Sequence, residues 1–352
     1  MVGGDFVPSI GPVSNPNPDL KWEIKRELNV GVDFAALDTR LSGSLDFYQS
    51  TTDDLLLQIN VPVPPNQAPT TWINAAEISN TGFEAALNYD AIRTQTTSWT
   101  TGITFSTNNS KLESYAAGRQ TISNVGAPGL NDTPLILVDE GRDIGDIWGW
   151  EFSRIGEDGG WLFIDADGNE VGTSEMGAED RKVIGNGLPD FELSWTNNVR
   201  YRSFDFSMFW RGAFGHDLVN TYDIFHRNPF FIGSRNVMES TLDIPELTEA
   251  PQFSSFQVED ASFFRLENIT LGYNFSLTPE SLIRSLRVYG TVNNVLTITG
   301  YDGIDPEVRF ADRGPTDNAN RAEDPYPLAP GIDRRDQFFT QTSFVFGVNL
   351  GF

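Results

Sequence analysis

The sequence predicts an all-β fold: an antiparallel transmembrane β-barrel portion of about ten strands, with short periplasmic turns and long extracellular loops. Three observations lead there. The chain ends on Thr342 to Phe352, where Phe344, Phe346, Val348, Leu350 and Phe352 fall on every second position, so a strand presents them all on one face. About ten residues of that pattern is the length a tilted strand needs to cross the hydrocarbon core, which marks these five residues as a membrane-insertion strand. Further strand-length segments with period two recur along the chain, and their connections alternate between short and long.

The first strand begins at Trp22 and carries Ile24, Leu28, Val30, Val32 and Phe34, interrupted only by Arg26. After a turn around Leu37 to Thr39, the pattern restarts on Leu41, Gly43, Leu45 and Phe47 and runs towards Leu55. The next segments carry Phe83, Ala85, Leu87 and Tyr89, then Trp99, Ile103 and Phe105. Phe191, Leu193, Trp195, Val199 and Tyr201 form another, followed by Phe204, Phe206, Met208 and Trp210. Ile269, Leu271, Tyr273 and Phe275, then Leu286, Val288, Val292 and Leu296, precede the terminal strand.

Short connections are expected near residues 35–40, 91–97, 202–203 and 276–285, and long ones near 56–79, 110–190, 214–261 and 299–340. Sorting of this kind belongs to barrels with tight periplasmic turns and long outer loops. Backbone groups in hydrocarbon have no water to bond, so a sheet there cannot keep a free edge, and ten strands make a small barrel or part of a larger one. The larger barrel is the expectation, because Met1 to Leu20 reads as loop, without the basic and apolar regions of a secretory signal. On this reading residues 1–352 are a fragment lacking its signal peptide, and 110–190 is an extracellular insertion forming a small loop subdomain.

A formal charge of −25 excludes nucleic acid as a partner, since a phosphate backbone needs a basic surface. No apolar run approaches eighteen residues, so helical spans are excluded too. The 26 Phe, 8 Trp and 9 Tyr supply what aromatic girdles at two membrane interfaces require. No cysteine is present, and His216 and His226 stand outside any zinc-ligand spacing. Hydrolase elbow, phosphate loop and complete dinucleotide fingerprint are all missing, so no catalytic residue, cofactor or metal is assigned and no enzyme is expected. Asp165 to Glu170 is too short for a calcium loop and is read as a hairpin turn at Asp167-Gly168. Trp72, Trp148, Trp150 and Trp161, assigned to loops, are candidates for stacking on sugar rings; packing of the loops' own cores, or a place in the girdle, is the competing reading.

Several phrases in order resemble the C-terminal barrel portion of SusC/RagA-type TonB-linked outer-membrane transporters. They run from Asn17 to Glu23, through Asn80, Gly82, Phe83 and Glu84, Gly141 to Gly149, and Ile184 to Phe191. The most specific is Ser262 to Tyr273, followed by Leu286 to Tyr289, Asn294, Thr297, Thr299, Tyr301 and the phrase Asp305 to Val308. Val295-Leu296 and Asp336 to Phe339 depart from the family's usual residues. The resemblance implies a Gram-negative outer-membrane location in contact with lipid. It also implies a plug and a TonB-engaging segment, both missing here, a SusD-like surface lipoprotein as lid, and uptake of an oligosaccharide or peptide substrate. The alternative is a soluble or surface-anchored glycan-binding β-domain using loops 110–190 and 214–261; a secreted glycoside hydrolase is a weaker rival for want of an active-site motif.

Overall fold

A computed structural model describes residues 14–127, 130–278, 282–307, 312–313, 325–326, 328–334 and 340–352. Residues 1–13, Val308 and the Asp336 to Phe339 departure lie outside the described residues.

Nine long strands form one antiparallel meander in chain order: β1 (Ile24–Ala36), β2 (Leu41–Asn60), β3 (Thr70–Arg93), β4 (Thr97–Tyr115), β5 (Phe191–Tyr201), β6 (Phe204–Phe214), β7 (Phe263–Phe275), β8 (Ser285–Thr299) and β9 (Ser343–Gly351). A two-residue strand, Arg142–Asp143, adds to β4 as a tenth member. Among the described residues β1 and β9 each pair on one side only, so the sheet is an arc and not a closed cylinder. The expected short connections are there: residues 37–40, 94–96 and 202–203 join the strands at one end, and only nine positions separate the end of β7 at Phe275 from the start of β8 at Ser285. The first of these turns sets Leu37, Asp38 and Thr39 in the left-handed region.

Register carries the period of two around the arc, because directly opposed residues share a face. Val32 faces Leu45, which faces Ala85; Ile103 faces Trp195, which faces Trp210; Leu271 faces Phe206. At the far edge Val288 faces Val348 and Leu286 faces Leu350. The result is an apolar belt on the convex side against which nothing packs among the described residues. Phe344 is 68% exposed, Phe346 84% and Phe352 81%. The alternative of a soluble β-domain requires these rings to be covered by a second sheet, and among the described residues none covers them.

The packed apolar core sits elsewhere. At about 3.3 Å per residue the 24 residues of β3 reach roughly 80 Å, far beyond one bilayer crossing, so β2, β3 and β4 continue past the membrane. Their upper ends bury Leu57, Ala75, Ala76, Leu112 and Tyr115 with Val138 and Leu328. Residues 116–190 add a four-stranded sheet (Gln120–Ala127, Leu130–Val138, Asp146–Gly149, Lys182–Asn186) and a three-stranded one (Glu151–Ile155, Trp161–Ile164, Glu170–Gly172). A second core joins Leu135, Ile136 and Ile147 of this layer to Val219, Ile224, Phe253 and Ile332 of other loops. No helix among the described residues is long and apolar enough to cross a membrane, a statement that does not concern strands.

Candidate functional site

The concave face of the arc holds the complementary set of alternate residues, and these are polar. Lys25, Glu27, Asn29, Tyr48, Glu84 and Asn108 line a groove there. Their hydrogen bonds run strand to strand: the Tyr48 hydroxyl donates to Asn108 Oδ1 at 2.9 Å, Thr104 and Ser194 hydroxyls meet at 2.5 Å, and those of Thr270 and Thr291 at 2.8 Å. Arg287 reaches across β7 to Asp205, with its Nη2 at 2.5 Å, and Asn274 donates to the same carboxylate at 2.8 Å. Two tyrosine rings lie across the strand next to them, which requires glycine. A Cβ at Gly82 would stand 2.3 Å from the Tyr48 ring, and one at Gly347 2.3 Å from that of Tyr289.

At the outer end of this wall an acidic loop is tied to two wall arginines. The Arg265 guanidinium donates to Asp305 at 2.5 Å, to Glu307 at 3.2 Å and to Thr297 Oγ1 at 2.9 Å. Arg211 donates to Glu267 at 2.6 Å and grips Glu307 with both terminal nitrogens. Thr340 also donates to Asp305, and the Glu307 N–H caps the same carboxylate at 3.0 Å. A bulge builds the cluster. Register slips between Phe209/Trp210 of β6 and Asn268/Leu266 of β7, leaving Glu267 as an extra residue and turning Arg265 inward while Phe264 stacks outside on Trp210. Beneath the loop a cavity of about 220 Å³ is lined by Thr104, Glu192, Ser194, Arg211, His216 and Glu307.

His216 is buried, with Nε2 3.3 Å from the Pro306 carbonyl, and His226 offers its own carbonyl to Met238 N–H and the Thr241 hydroxyl. Among the described residues no three His, Asp or Glu side chains converge as a metal site. Asp165 to Glu170 is a hairpin turn with Gly168 at φ +86°, and the Asp165 carboxylate accepts Asn169 N–H at 2.7 Å. These bonds hold Asp165 below the usual carboxylate range, the Asn169 side-chain amide contributing most.

The four tryptophans separate. Trp161 is corrected by the structure: at 1% exposure it is enclosed with Phe163, Ile244 and Leu247, and its indole donates to the Ala250 carbonyl at 2.9 Å, so it has no ring face to offer a cargo. Trp72 lies on β3 and not in a loop, half exposed above the membrane. Trp148 and Trp150 are two apart on extended chain and share one face. They border an open cleft of about 740 Å³ with Arg119, Met176, Glu179 and Arg181. The guanidinium of Arg119 lies 5.0 Å from the Trp148 ring centre, and that of Arg181 5.7 Å from the Trp150 ring centre. Sequence reading found the tryptophans but not their arginines, because Arg119 and Arg181 each sit just before a strand (Gln120–Ala127 and Lys182–Asn186) that joins the same sheet only in the folded loop layer. Arg211 carried no signal of its own; Arg265, Glu267 and Asp305 stood within quoted phrases without a role.

The pattern described as "TonB dependent receptor-like, beta-barrel" matches residues 2–295. TonB-dependent receptor P3 of Formosa agariphila is 29% identical over 384 aligned positions, which cover 100% of this chain and 36% of that protein. TonB-dependent receptor SusC of Bacteroides thetaiotaomicron is 27% identical over 312 positions, covering 83% of this chain and 30% of SusC. Among solved structures the RagAB peptide transporter superposes with a TM-score of 0.75 at 23% identity, over 95% of this chain and 36% of that one. The chain thus spans about a third of the length of the curated relatives it matches.

Proposed function

The chain belongs to the TonB dependent receptor-like β-barrel family of the outer membrane, and we propose that it forms the C-terminal part of the barrel wall of a SusC-like active transporter. Its cargo is an oligosaccharide or a peptide, admitted from outside through a lumen that other strands of the same barrel complete. The observation that carries this reading is the two-sidedness of the arc. An unpacked aromatic belt lies outside, a hydrogen-bonded polar wall lies inside, and an ordered loop layer stands over one end only. Lipid satisfies the first face and water the second, whereas a protein dissolved in water would bury the belt.

The edges of β1 and β9 support closure by further strands, because each would leave a row of backbone groups unsatisfied in hydrocarbon. Barrels of this transporter kind reach about 22 strands with a plugged lumen, of which nine long strands are under half. On this reading the plug and the TonB-engaging segment come from the rest of the transporter. A SusD-like lipoprotein lids the loop layer, where Phe230, Ile232 and Leu242 expose apolar side chains.

Uptake in intact cells tests the proposal. Cells producing the transporter are expected to accumulate either a labelled oligosaccharide or a labelled oligopeptide, and to stop when the proton gradient is collapsed or TonB is removed. RagAB is a peptide transporter by name, so peptides form one arm and neutral oligosaccharides the other. Accumulation that persists without TonB would overturn active transport.

A further inference from the structure

The cleft between Trp148 and Trp150 holds an arginine that the fold leaves unpaired. Arg181 extends the pairing of Lys182 with Gly149, which sets it opposite Trp150. Among the described residues no carboxylate lies within 4 Å of its guanidinium, although the chain carries 49 Asp and Glu against 24 Lys and Arg. Two acids next to this pair, Asp180 before Arg181 and Glu151 after Trp150, are engaged elsewhere. Glu151 is paired with Lys182, and Asp180 accepts the N–H groups of Ala166 at 2.9 Å and Gly177 at 2.6 Å. Burial alone pushes Arg181 below the usual guanidinium range, with no neighbouring charge offsetting it. Arg119, on the other side, has Asp139 at a loose 3.8 Å. Glu179 is the single carboxylate in the lining, against two guanidiniums.

A guanidinium laid over an indole keeps its N–H edge free, since the ring takes the face of the plane and not its rim. That edge matches a carboxylate in a two-pronged hydrogen bond. The Trp150 indole is itself locked by a 2.9 Å bond to the Gly177 carbonyl and by Phe163 behind it, with ring centres 5.4 Å apart. The ring that the Arg181 guanidinium lies against is therefore in place before any ligand arrives.

We propose that this cleft captures a carboxylate-bearing segment of the cargo, Arg181 gripping the carboxylate, Arg119 adding charge, and Trp148 flanking it. It rests on the transport reading only in naming the occupant as cargo, and two sources fit the chemistry: a uronic acid residue or an acidic peptide.

Calorimetric titration of the protein purified from outer membranes in detergent tests capture separately from uptake. The probes are trigalacturonate with its methyl ester, and triglutamate with its side-chain and terminal amide. At least one acid is expected to bind and its uncharged counterpart not to, and which acid binds names the source. Arg181→Gln should weaken binding about tenfold or more, the loss expected for a charge-assisted pair. Glu179→Gln should tighten it, and added salt should weaken it. Arg154→Gln, at an exposed pair with Glu170 outside the cleft, should leave it unchanged. Heat-modifiable migration on gels checks that Arg181→Gln is folded. If it is not, Arg181→Lys keeps the charge without the fork and should still bind more weakly than wild type. Equal binding of acid and ester, no binding of either acid, or no response to the Arg181 variant would overturn the site. TonB-independent uptake with acid binding intact would count against the transport reading alone.

Discussion

Arg265 shows what a single side chain does in this wall. Its side chain is 5% exposed and its partner Asp305 8%, so both charges are out of water and depend on each other. Removing one member of such a pair leaves the other uncompensated, at a cost of about 3–5 kcal/mol, whereas replacing both with apolar groups is close to neutral. Arg265→Met should therefore destabilise the protein by that amount and free the 299–307 segment. The double change Arg265→Met, Asp305→Leu should recover much of the loss. Thermal unfolding in detergent and limited proteolysis of the outer loops measure both. Equal losses in the single and double variants would mean that the pair does not hold the loop. None of this was legible beforehand, because Arg265 and Asp305 are forty positions apart and nothing in local pattern joins them. The tryptophans mark a similar limit. An apolar ring in a stretch assigned to loop reads alike whether it is sealed, as in Trp161, or half open, as in Trp150.

Strands were the most legible elements, because a period of two states which side chains share a face even when it leaves open what that face touches. Every apolar series read from the sequence falls on one of the nine strands, with Trp22 and Phe352 lying just beyond the ends of β1 and β9. What the pattern missed is where strands lengthen and where they slip. Upper β2 and β3 carry their residues into a loop core, beyond register shifts near Thr52 and Leu55 and near Glu77 and Ile78. The bulge at Glu267 changes which parity of β7 faces out, from Ile269, Leu271 and Tyr273 below it to Phe264 and Leu266 above. The terminal strand has no such break, so its outward face can be tested directly. A lysine on the lipid face of a barrel strand costs about 2–4 kcal/mol at the bilayer midplane. Phe346→Lys should therefore reduce the heat-modifiable form recovered from outer membranes, and Phe346→Leu should not. If Phe346→Lys assembled as well as wild type, β9 would not be facing lipid.

At the scale of the whole molecule the chain is divided by solvent: lipid outside, water inside, and, among the described residues, a packed core in the layer of loops. That layer buries acids, and burial gives it a pH dependence opposite to that of a paired surface carboxylate. Asp217, Asp223 and Glu259 are all pushed above the usual carboxylate range, burial being the largest cause in each. A carboxyl whose pKa is raised by folding favours the protonated folded state. Its contribution is fully present below the unfolded value near 4 and is lost as pH rises through the folded one. Asp260, lowered chiefly by its bond to Ser262, acts in the other sense, but only as pH falls below the ordinary carboxylate range. Between about pH 5 and pH 8 the raised group decides the sign. Hydrogen exchange of residues 217–224 and 258–260, corrected for intrinsic rates, should therefore show more protection at pH 5.5 than at pH 8. Glu259→Gln removes the charge, although its one amide oxygen replaces the two that accept from the Asn220 amide and the Asp302 N–H, so it should flatten the difference between pH 5.5 and pH 8. Protection that is level across this range in wild type, or greater at pH 8, would show that water reaches these carboxylates and that the layer is more open than its packing implies.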